Sequence, residues 1–291
     1  MAADPATDPA TDPVAVREAI ADRVAEAYRA DPHVAAVLLA GSVARGLADE
    51  LSDIELDVYW SRPPTPAERS AAVEGAGWER VYDEVDEHEW ADGLSADGVK
   101  VDVSGFTTAT IEEYLGAALA GDTEPELQVR VTALRDGRPL HGHDLVERWR
   151  RRVEVYPDAL AVAMVEEGLA LRSRERLEML AARDDVVLLH RDVVDGIQGV
   201  LDALFGLNRV WCPHPHHKWL DWEATLLPLQ PERLVERIRA LVVAAPADVV
   251  TGLGSLVDDT LDLCATHLPQ ADVARLRRDF DHRRITAGGL A

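Results

Sequence analysis

The sequence predicts an α/β domain in the N-terminal half of the chain and an all-helical domain in the C-terminal half. In the first half, apolar residues run continuously at Val34–Ala40 and alternate with polar residues at Val99–Phe106, and both patterns are typical of strands. From Asp158 onward, long stretches carry apolar residues at the spacing of a helix. The predicted boundaries are 1–13 for a disordered tail, 14–150 for the α/β domain and 151–291 for the helical domain.

Composition and charge limit the classes of partner. The chain has 291 residues, of which 47% are hydrophobic, so it can bury a sizeable core. Its formal net charge of −23 argues against nucleic acid as the main partner, because phosphate backbones are bound by basic surfaces. The charge is compatible with a cationic small-molecule acceptor and equally with an ordinary acidic protein. The acidic stretch 83–92 is typical of a solvated surface; alternatively, Glu87 or Glu89 lines a cleft for a cationic acceptor.

Cysteine usage and hydropathy predict a compartment. The two cysteines, Cys212 and Cys264, are too few for a disulfide framework and do not have a metal-type spacing. The N-terminus lacks the basic and apolar regions of a secretory signal, and no apolar run approaches the ~18 residues that span a membrane. We therefore expect a cytoplasmic protein without a membrane partner, and the sequence leaves open whether it is a monomer or a homodimer.

Local patterns predict the other elements of the first half. A proline-rich D-P-A-T repeat predicts the mobile tail, and apolar residues at helical spacing predict a helix over Val14–Arg29. Thr110 followed by Glu113 predicts a capping box in a helix over Thr108–Ala120. The remaining predictions are a short helix over 67–74, a strand over 78–82, a helix or a strand over 126–134 and a turn over 136–139.

A Gly-Ser pair followed by alternating acids carries the strongest chemical signal. Strand periodicity places Asp53 and Glu55 on one face, where two neighbouring carboxylates repel unless a cation such as Mg²⁺ lies between them. Gly41 permits close backbone approach to a phosphate, and Ser42 offers a hydroxyl at the start of a short polar segment. The alternative is a βα unit with two surface acids on an edge strand. Asp57 points the same way, and we expect it to be a solvated strand end rather than an outer metal ligand.

These residues resemble the signature of a known superfamily. Gly41-Ser42, a spacer and a Ser-Asp-hydrophobic-acid run from Ser52 to Glu55 resemble the nucleotidyltransferase superfamily that includes DNA polymerase beta. Within it, the sequence is most similar to the adenylyltransferases that act on streptomycin and spectinomycin. The resemblance implies a small mixed sheet, Mg²⁺ as cofactor and ATP as substrate. It also implies Asp53 and Glu55 as metal ligands, with Gly41, Ser42 and Ser52 at the nucleotide. The second acid departs from the commoner aspartate.

A third carboxylate lies on the alternating strand Val99–Phe106. Its polar face carries Lys100, Asp102 and Ser104. The resemblance implies that Asp102 is a metal ligand, the general base that accepts the proton of the acceptor hydroxyl, or both. The alternative is a surface aspartate on an edge strand.

The second half predicts a helical bundle with one irregular interruption. The predicted helices cover Ala161–Arg183, Val186–Phe205, Pro231–Val243, Pro246–His267 and Ala271–Arg283. Arg172 and Glu175 suit a surface salt-bridge face, so no site is assigned there. The interruption, residues 207–220, contains two prolines, two tryptophans and three histidines. A zinc site built on His214, His216 and His217 is weakly supported, because no further ligands have suitable spacing.

The resemblance gives the interruption another interpretation. In the adenylyltransferases an Arg-x-Trp and a downstream lysine precede a Leu-Pro, and the two cations reach the triphosphate. This chain has the same order of residues, namely Arg209, Trp211, Lys218 and Leu227-Pro228. The spacer between its two cations is somewhat shorter than in the adenylyltransferases. The alternative is that both cations stack on the tryptophans of the loop.

Together, these observations predict an enzyme. The expected reaction transfers AMP from ATP to a hydroxyl of a small molecule and releases pyrophosphate. An aminoglycoside-like acceptor would make the protein an antibiotic-resistance enzyme, and a related metabolite would make it a biosynthetic nucleotidyltransferase. The alternatives are a transferase that modifies a protein or a tRNA end, and a relative that binds nucleotide without catalysis.

Overall fold

The computed structural model describes residues 12–75, 77–86 and 89–284, which divide into two compact units. The first unit comprises residues up to 116 together with 130–155, and the second comprises 117–129 together with those from 156 onward. Most of the predicted tail lies outside the described residues. Its last two positions begin the first helix, where Asp12 accepts a hydrogen bond from the backbone N–H of Val14 and Pro13 is the first helical residue.

The first unit is a mixed sheet with helices. Its elements are α1 (Pro13–Tyr28), β1 (Val34–Ala40), α2 (Gly41–Ala44), β2 (Ile54–Trp60), α3 (Pro66–Gly75), β3 (Glu79–Val85), β4 (Glu89–Ala96), β5 (Val99–Thr107), β6 (Arg138–His141) and α6 (His143–Arg152). Helices α4 (Thr108–Ala120) and α5 (Pro125–Asp136) contribute residues to both units. The strand order is β3-β4-β5-β2-β1-β6. Only β2 and β5 are parallel among the described pairs, so the predicted mixed α/β sheet is confirmed.

One face of the central strands holds the main core of this unit. Alternation in β2 and β5 directs a set of apolar side chains to that face, and all are at most 3% exposed: Ile54, Leu56, Val58, Val101 and Val103. They pack in one cluster with apolar residues of α1 and α3, including Ile20, Val24 and Val73. The opposite face is therefore left for the acidic side chains of the same strands.

Two local predictions in this unit are wrong, and one strand was missed. Thr107 caps α4 in place of Thr110, because its hydroxyl accepts the backbone N–H of Thr110 at 3.0 Å. The turn predicted over 136–139 overlaps strand β6, where Pro139 is tolerated because β6 is an edge strand. Strand β4 was not predicted, since its sequence is acidic and lacks β-branched residues. The segment left open over 126–134 is helical.

The second unit is helical, as predicted. Its helices are α7 (Asp158–Gly168), α8 (Arg174–Ala182), α9 (Val186–Asn208), α10 (Leu220–Thr225), α11 (Leu234–Val243), α12 (Pro246–His267) and α13 (Val273–Phe280). Helix α9 packs against α7, α8, α11 and α12. No helix in the described ranges combines the length and apolar character required to cross a membrane.

The single helix predicted over Ala161–Arg183 is two helices. Helix α7 ends at Gly168, and Ser173 starts α8 by accepting the backbone N–H of Arg176. A Cβ atom on Gly168 would lie 2.5 Å from the carbonyl oxygen of Gly199, so α7 and α9 approach closely at this point. Sequence periodicity carries no information about that long-range contact.

Candidate active site

The parallel pairing of β2 and β5 brings two of the predicted acids together. Glu55 and Asp102 are register partners on these neighbouring strands, so their side chains project side by side from the same face. Asp53 lies just before β2, two residues ahead of Glu55, and its charge acts on both Lys100 and Tyr82. The three acids predicted from the alternating patterns therefore lie together at the central strands of the sheet.

Gly41 fits closely around one of these acids. Its φ angle is +64°, and a Cβ atom placed on it would lie 1.4 Å from Oε2 of Glu55. Every L-residue would therefore be strained and would displace the carboxylate. Ser42 follows in the single-turn helix α2. The carbonyl oxygen of Ser42 accepts a hydrogen bond from the backbone N–H of Leu47 at 2.9 Å. The Gly-Ser pair thus directly adjoins the acidic cluster.

The loop before β2 is fixed by hydrogen bonds. The hydroxyl of Ser52 donates to the carboxylate of Asp49 at 2.9 Å and accepts the backbone N–H of Asp49 at 3.0 Å. The buried guanidinium of Arg17 donates to the carbonyl oxygens of Ser52 at 2.6 Å and of Glu50 at 2.9 Å. These contacts hold the backbone immediately before Asp53. A nucleotide contact through Ser52 stays a prediction.

Asp102 is held by two side chains that the sequence analysis did not assign to the site. The hydroxyl of Tyr82 donates to Oδ1 of Asp102 at 2.7 Å, and the ammonium group of Lys100 donates to Oδ2 at 2.7 Å. Burial raises the pKa of Tyr82 above its usual range, and the hydrogen bond to Asp102 raises it further. Hydrogen bonding to Asp102 raises the pKa of Lys100, and the charges of Asp102, Asp53 and Glu55 add to this effect. Lys100 therefore remains a cation beside the three acids.

Lys100 could have been predicted from the sequence pattern, whereas Tyr82 could not. Lys100 lies two positions before Asp102 on the same strand, so strand periodicity alone places them on one face. Tyr82 reaches Asp102 through the hairpin of β3 and β4, and Gly93 leaves room for its ring. Because β4 was not predicted, no local pattern could place Tyr82 beside Asp102.

Asp57 is a buried residue, and the expectation of a solvated strand end is wrong. It is 3% exposed, accepts a hydrogen bond from the hydroxyl of Tyr59 at 3.0 Å and pairs with Arg130 at 3.1 Å. Farther along this face, Tyr59 packs against Trp149 at 5.0 Å, and Arg130 lies over the ring of Phe106 at 4.7 Å. The same face thus changes from acidic to aromatic along β2.

The acidic stretch 83–92 is also partly buried. Asp92 is 3% exposed and forms a bidentate pair with the guanidinium of Arg69, at 2.7 Å and 3.2 Å. Glu89 is half-buried and accepts a hydrogen bond from Tyr114. Glu87, the other predicted cleft residue, lies outside the described residues.

The two predicted triphosphate ligands belong to the second unit. Arg209 has a left-handed backbone after α9, and its guanidinium binds the carboxylate of Asp158 at 2.7 Å and 3.0 Å. Lys218 is exposed. Neither cation stacks on a tryptophan in the part of the chain that is described, and Trp211 packs instead against Tyr156 at 4.7 Å. Their contact with a nucleotide stays a prediction.

Known proteins resemble the chain only distantly. A protein-family model described as a domain of unknown function (DUF4037) matches residues 127–220, and no curated protein matches. A nucleotidyltransferase-like protein from Exiguobacterium sibiricum is similar in structure, with 14% identity, a TM-score of 0.42, and coverage of 94% of this chain and 83% of that one. A cytoplasmic RNA terminal U-transferase is similar with 15% identity, a TM-score of 0.27, and coverage of 56% of this chain and 49% of the other. The function proposed below therefore depends on the side chains of the site.

Proposed function

We propose that the protein is a magnesium-dependent nucleotidyltransferase that transfers AMP from ATP to a hydroxyl of a small molecule and releases pyrophosphate. The observation that carries this proposal is the register of β2 and β5, the two central strands, which sets Glu55 beside Asp102, with Asp53 just before β2. Carboxylates are not placed together in this way for stability, because like charges on neighbouring strands repel. Gly41 and Ser42 adjoin the cluster, as a phosphate-binding turn requires.

The donor set fits magnesium. Asp53, Glu55 and Asp102 offer carboxylate oxygens, which Mg²⁺ prefers, and the ammonium group of Lys100 already lies within hydrogen-bond distance of Asp102. When bound, the ion would stabilise the negative charge that develops on the transferred and leaving phosphates. The three carboxylates would hold it, and the loop fixed by Arg17 would keep Asp53 in place.

The proposed roles of the remaining residues concern the proton and the triphosphate. Asp102 accepts the proton of the acceptor hydroxyl as the new bond to the α-phosphate forms, and Tyr82 orients its carboxylate. Gly41, Ser42 and Ser52 contact the nucleotide, and Arg209 and Lys218 neutralise its phosphates; these five assignments follow from the resemblance of the sequence.

The acceptor class is proposed from charge. A net charge of −23 favours a cationic acceptor such as an aminoglycoside-like compound over a nucleic acid. The proposed location is the cytoplasm, which supplies ATP and magnesium and suits the two free cysteines. A biosynthetic metabolite, a protein or a tRNA end are the competing acceptors.

Pyrophosphate release with each nucleoside triphosphate and Mg²⁺ tests the proposal. We expect release with ATP that depends on an acceptor and disappears when the metal is chelated. Pyrophosphate release that requires an aminoglycoside supports the antibiotic-type acceptor. Transfer of the nucleotide to a protein or to tRNA supports one of the competing acceptors. If the protein binds Mg·ATP but releases no pyrophosphate with any acceptor tested, the non-catalytic alternative would be favoured.

Lys218→Ala is expected to raise the KM for ATP about tenfold while changing the KM for the acceptor little, because an ammonium group on the triphosphate mainly supports nucleotide binding. Steady-state kinetics with each substrate varied in turn measures this difference. Arg191→Ala is the matched control, since Arg191 is an exposed cation on the same unit with 77% of its side chain accessible. A selective rise in the KM for the acceptor would contradict the role given to Lys218.

Lys100→Met is expected to tighten Mg²⁺ binding in the absence of nucleotide by about tenfold, because the ammonium group and the metal compete for Asp102. Calorimetric titration of magnesium into the nucleotide-free protein measures the change. Lys100→Arg retains the charge and should bind Mg²⁺ as the unmodified protein does. Weaker or unchanged magnesium binding in Lys100→Met would show that Lys100 and the metal do not share this position.

A further inference from the structure

The histidine-containing interruption meets helix α9 at a cluster of three different donor groups. Ligand atoms of Asp202, Cys212 and His217 all lie within 4.8 Å of one another. We propose that these three residues bind a zinc ion, independently of the nucleotide site. Nitrogen and sulfur donors favour zinc over magnesium or calcium, which prefer oxygen ligands throughout.

The imidazole of His217 is oriented as a metal ligand requires. Its Nδ1 lies 3.0 Å from Oε2 of Glu223, its Nε2 lies 3.3 Å from Oδ1 of Asp202, and its ring stacks on Phe205 at 5.5 Å. Because both partners are carboxylates, each nitrogen donates a proton in the metal-free chain; zinc would take the place of the Nε2 proton, while Nδ1 continues to donate to Glu223. A carboxylate behind a histidine ligand is the usual arrangement in zinc proteins, because it fixes the tautomer and the ring.

The carboxylate of Glu223 lies behind His217 and would act on the metal through it. Its side chain is fully buried, and Oε1 has no hydrogen-bond partner among the described residues. An anionic group in such a place is costly unless nearby positive charge compensates it. In the metal-free chain the imidazolium of His217 supplies that charge, and a zinc ion that replaces its Nε2 proton would supply it in the metal-bound chain.

The chain around Cys212 brings a buried thiol to the same point. Cys212 is 4% exposed, and its Sγ donates to the carbonyl oxygen of His214 at 3.3 Å. Two prolines shape the following turn, and His217 adopts a left-handed backbone conformation with φ of +50°. The spacing of the histidines alone did not reveal the site, because Asp202 comes from α9.

A cavity of about 620 Å³ adjoins the cluster and lies within the second unit. Asp202 and Cys212 both line it, together with Gln128, Gln198 and Glu167. Three protein ligands leave a fourth zinc position, and the cavity can supply a water molecule or a small ligand there. Sites with three protein ligands and an open position are typical of zinc that binds or activates a ligand, whereas structural zinc has four protein ligands.

Titration of the full chain with Co²⁺, followed by displacement with Zn²⁺, tests the site. We expect a cobalt–thiolate charge-transfer band that saturates at one ion per chain and that Zn²⁺ abolishes. Cys212→Ser should remove the band, and His217→Gln should weaken binding at least tenfold. Glu223→Gln should weaken it by about 10-fold to 100-fold, the range found for residues behind metal ligands. Cys264→Ser and His216→Gln are the matched controls and should bind as the unmodified chain does.

The circular dichroism of each variant establishes that it is folded, and Asp202→Asn replaces His217→Gln if the latter does not fold. Asp202→Asn changes a partly exposed side chain on a long helix and should weaken zinc binding while the helix content stays constant. A thiolate band that persists in Cys212→Ser, or equal zinc affinity of the unmodified chain and Cys212→Ser, would overturn the proposal.

Discussion

Asp53→Asn is expected to lower pyrophosphate release from ATP by about a thousandfold or more, while the protein stays folded. The substitution removes one of three carboxylates that would hold magnesium. A thousandfold loss corresponds to about 4 kcal/mol of transition-state stabilisation, at 1.36 kcal/mol for each factor of ten. Stability should not fall, because Asp53 repels Glu55 and Asp102 when no cation is bound. Acceptor-dependent kinetics and thermal unfolding measure the two quantities separately.

Asp97→Asn is the matched control for this experiment. Asp97 is an exposed acid in the turn between β4 and β5, where its positive φ angle also suits asparagine. The substitution removes one negative charge from the same unit, as Asp53→Asn does, but leaves the acidic cluster unchanged. Normal turnover in Asp53→Asn would exclude Asp53 as a metal ligand, and equal losses in both variants would point to net charge as the cause.

Asp57→Ala is expected to destabilise the protein by about 3–5 kcal/mol, which is the usual cost of leaving one member of a buried ion pair without the other. Asp57 is 3% exposed and lies 3.1 Å from the guanidinium of Arg130. The substitution also deprives the buried hydroxyl of Tyr59 of its acceptor. Urea unfolding followed by far-UV circular dichroism measures the change in the free energy of unfolding.

The double variant Asp57→Leu with Arg130→Met is the informative control for that prediction. Replacing both members of a buried ion pair by apolar residues of similar size is often neutral or stabilising. We therefore expect it to recover most of the stability lost in Asp57→Ala. A loss below about 1 kcal/mol in Asp57→Ala would show that the pair is solvated in solution.

The sequence predicted the faces on which the acidic side chains lie, because strand periodicity is a local property. Asp53, Glu55 and Asp102 lie in clear alternations, and strand Val34–Ala40 and helix Pro246–His267 have the predicted bounds. Each of these patterns can be read within one element, without knowledge of its neighbours.

Apart from Lys100, which lies two positions from Asp102 on the same strand, the missed features depend on contacts between distant segments. Asp57 follows the same alternation as Asp53, but Arg130, which lies 73 positions farther along, buries it by pairing with it. Tyr82 reaches Asp102 across an acidic hairpin with little strand propensity. Asp202 joins Cys212 and His217 from within an apparently ordinary helix. No local period distinguishes these residues from surface polar groups.

The position of the β3–β4 hairpin in the sheet has a consequence for changes in its length. The acids lie on the two innermost strands, whereas the hairpin forms one margin of the sheet and reaches Asp102 through Tyr82. Changes of length in the hairpin therefore leave the register of β2 against β5 unchanged. On the proposed function, such changes would alter the surroundings of Asp102 through Tyr82 and leave the three carboxylates where they are.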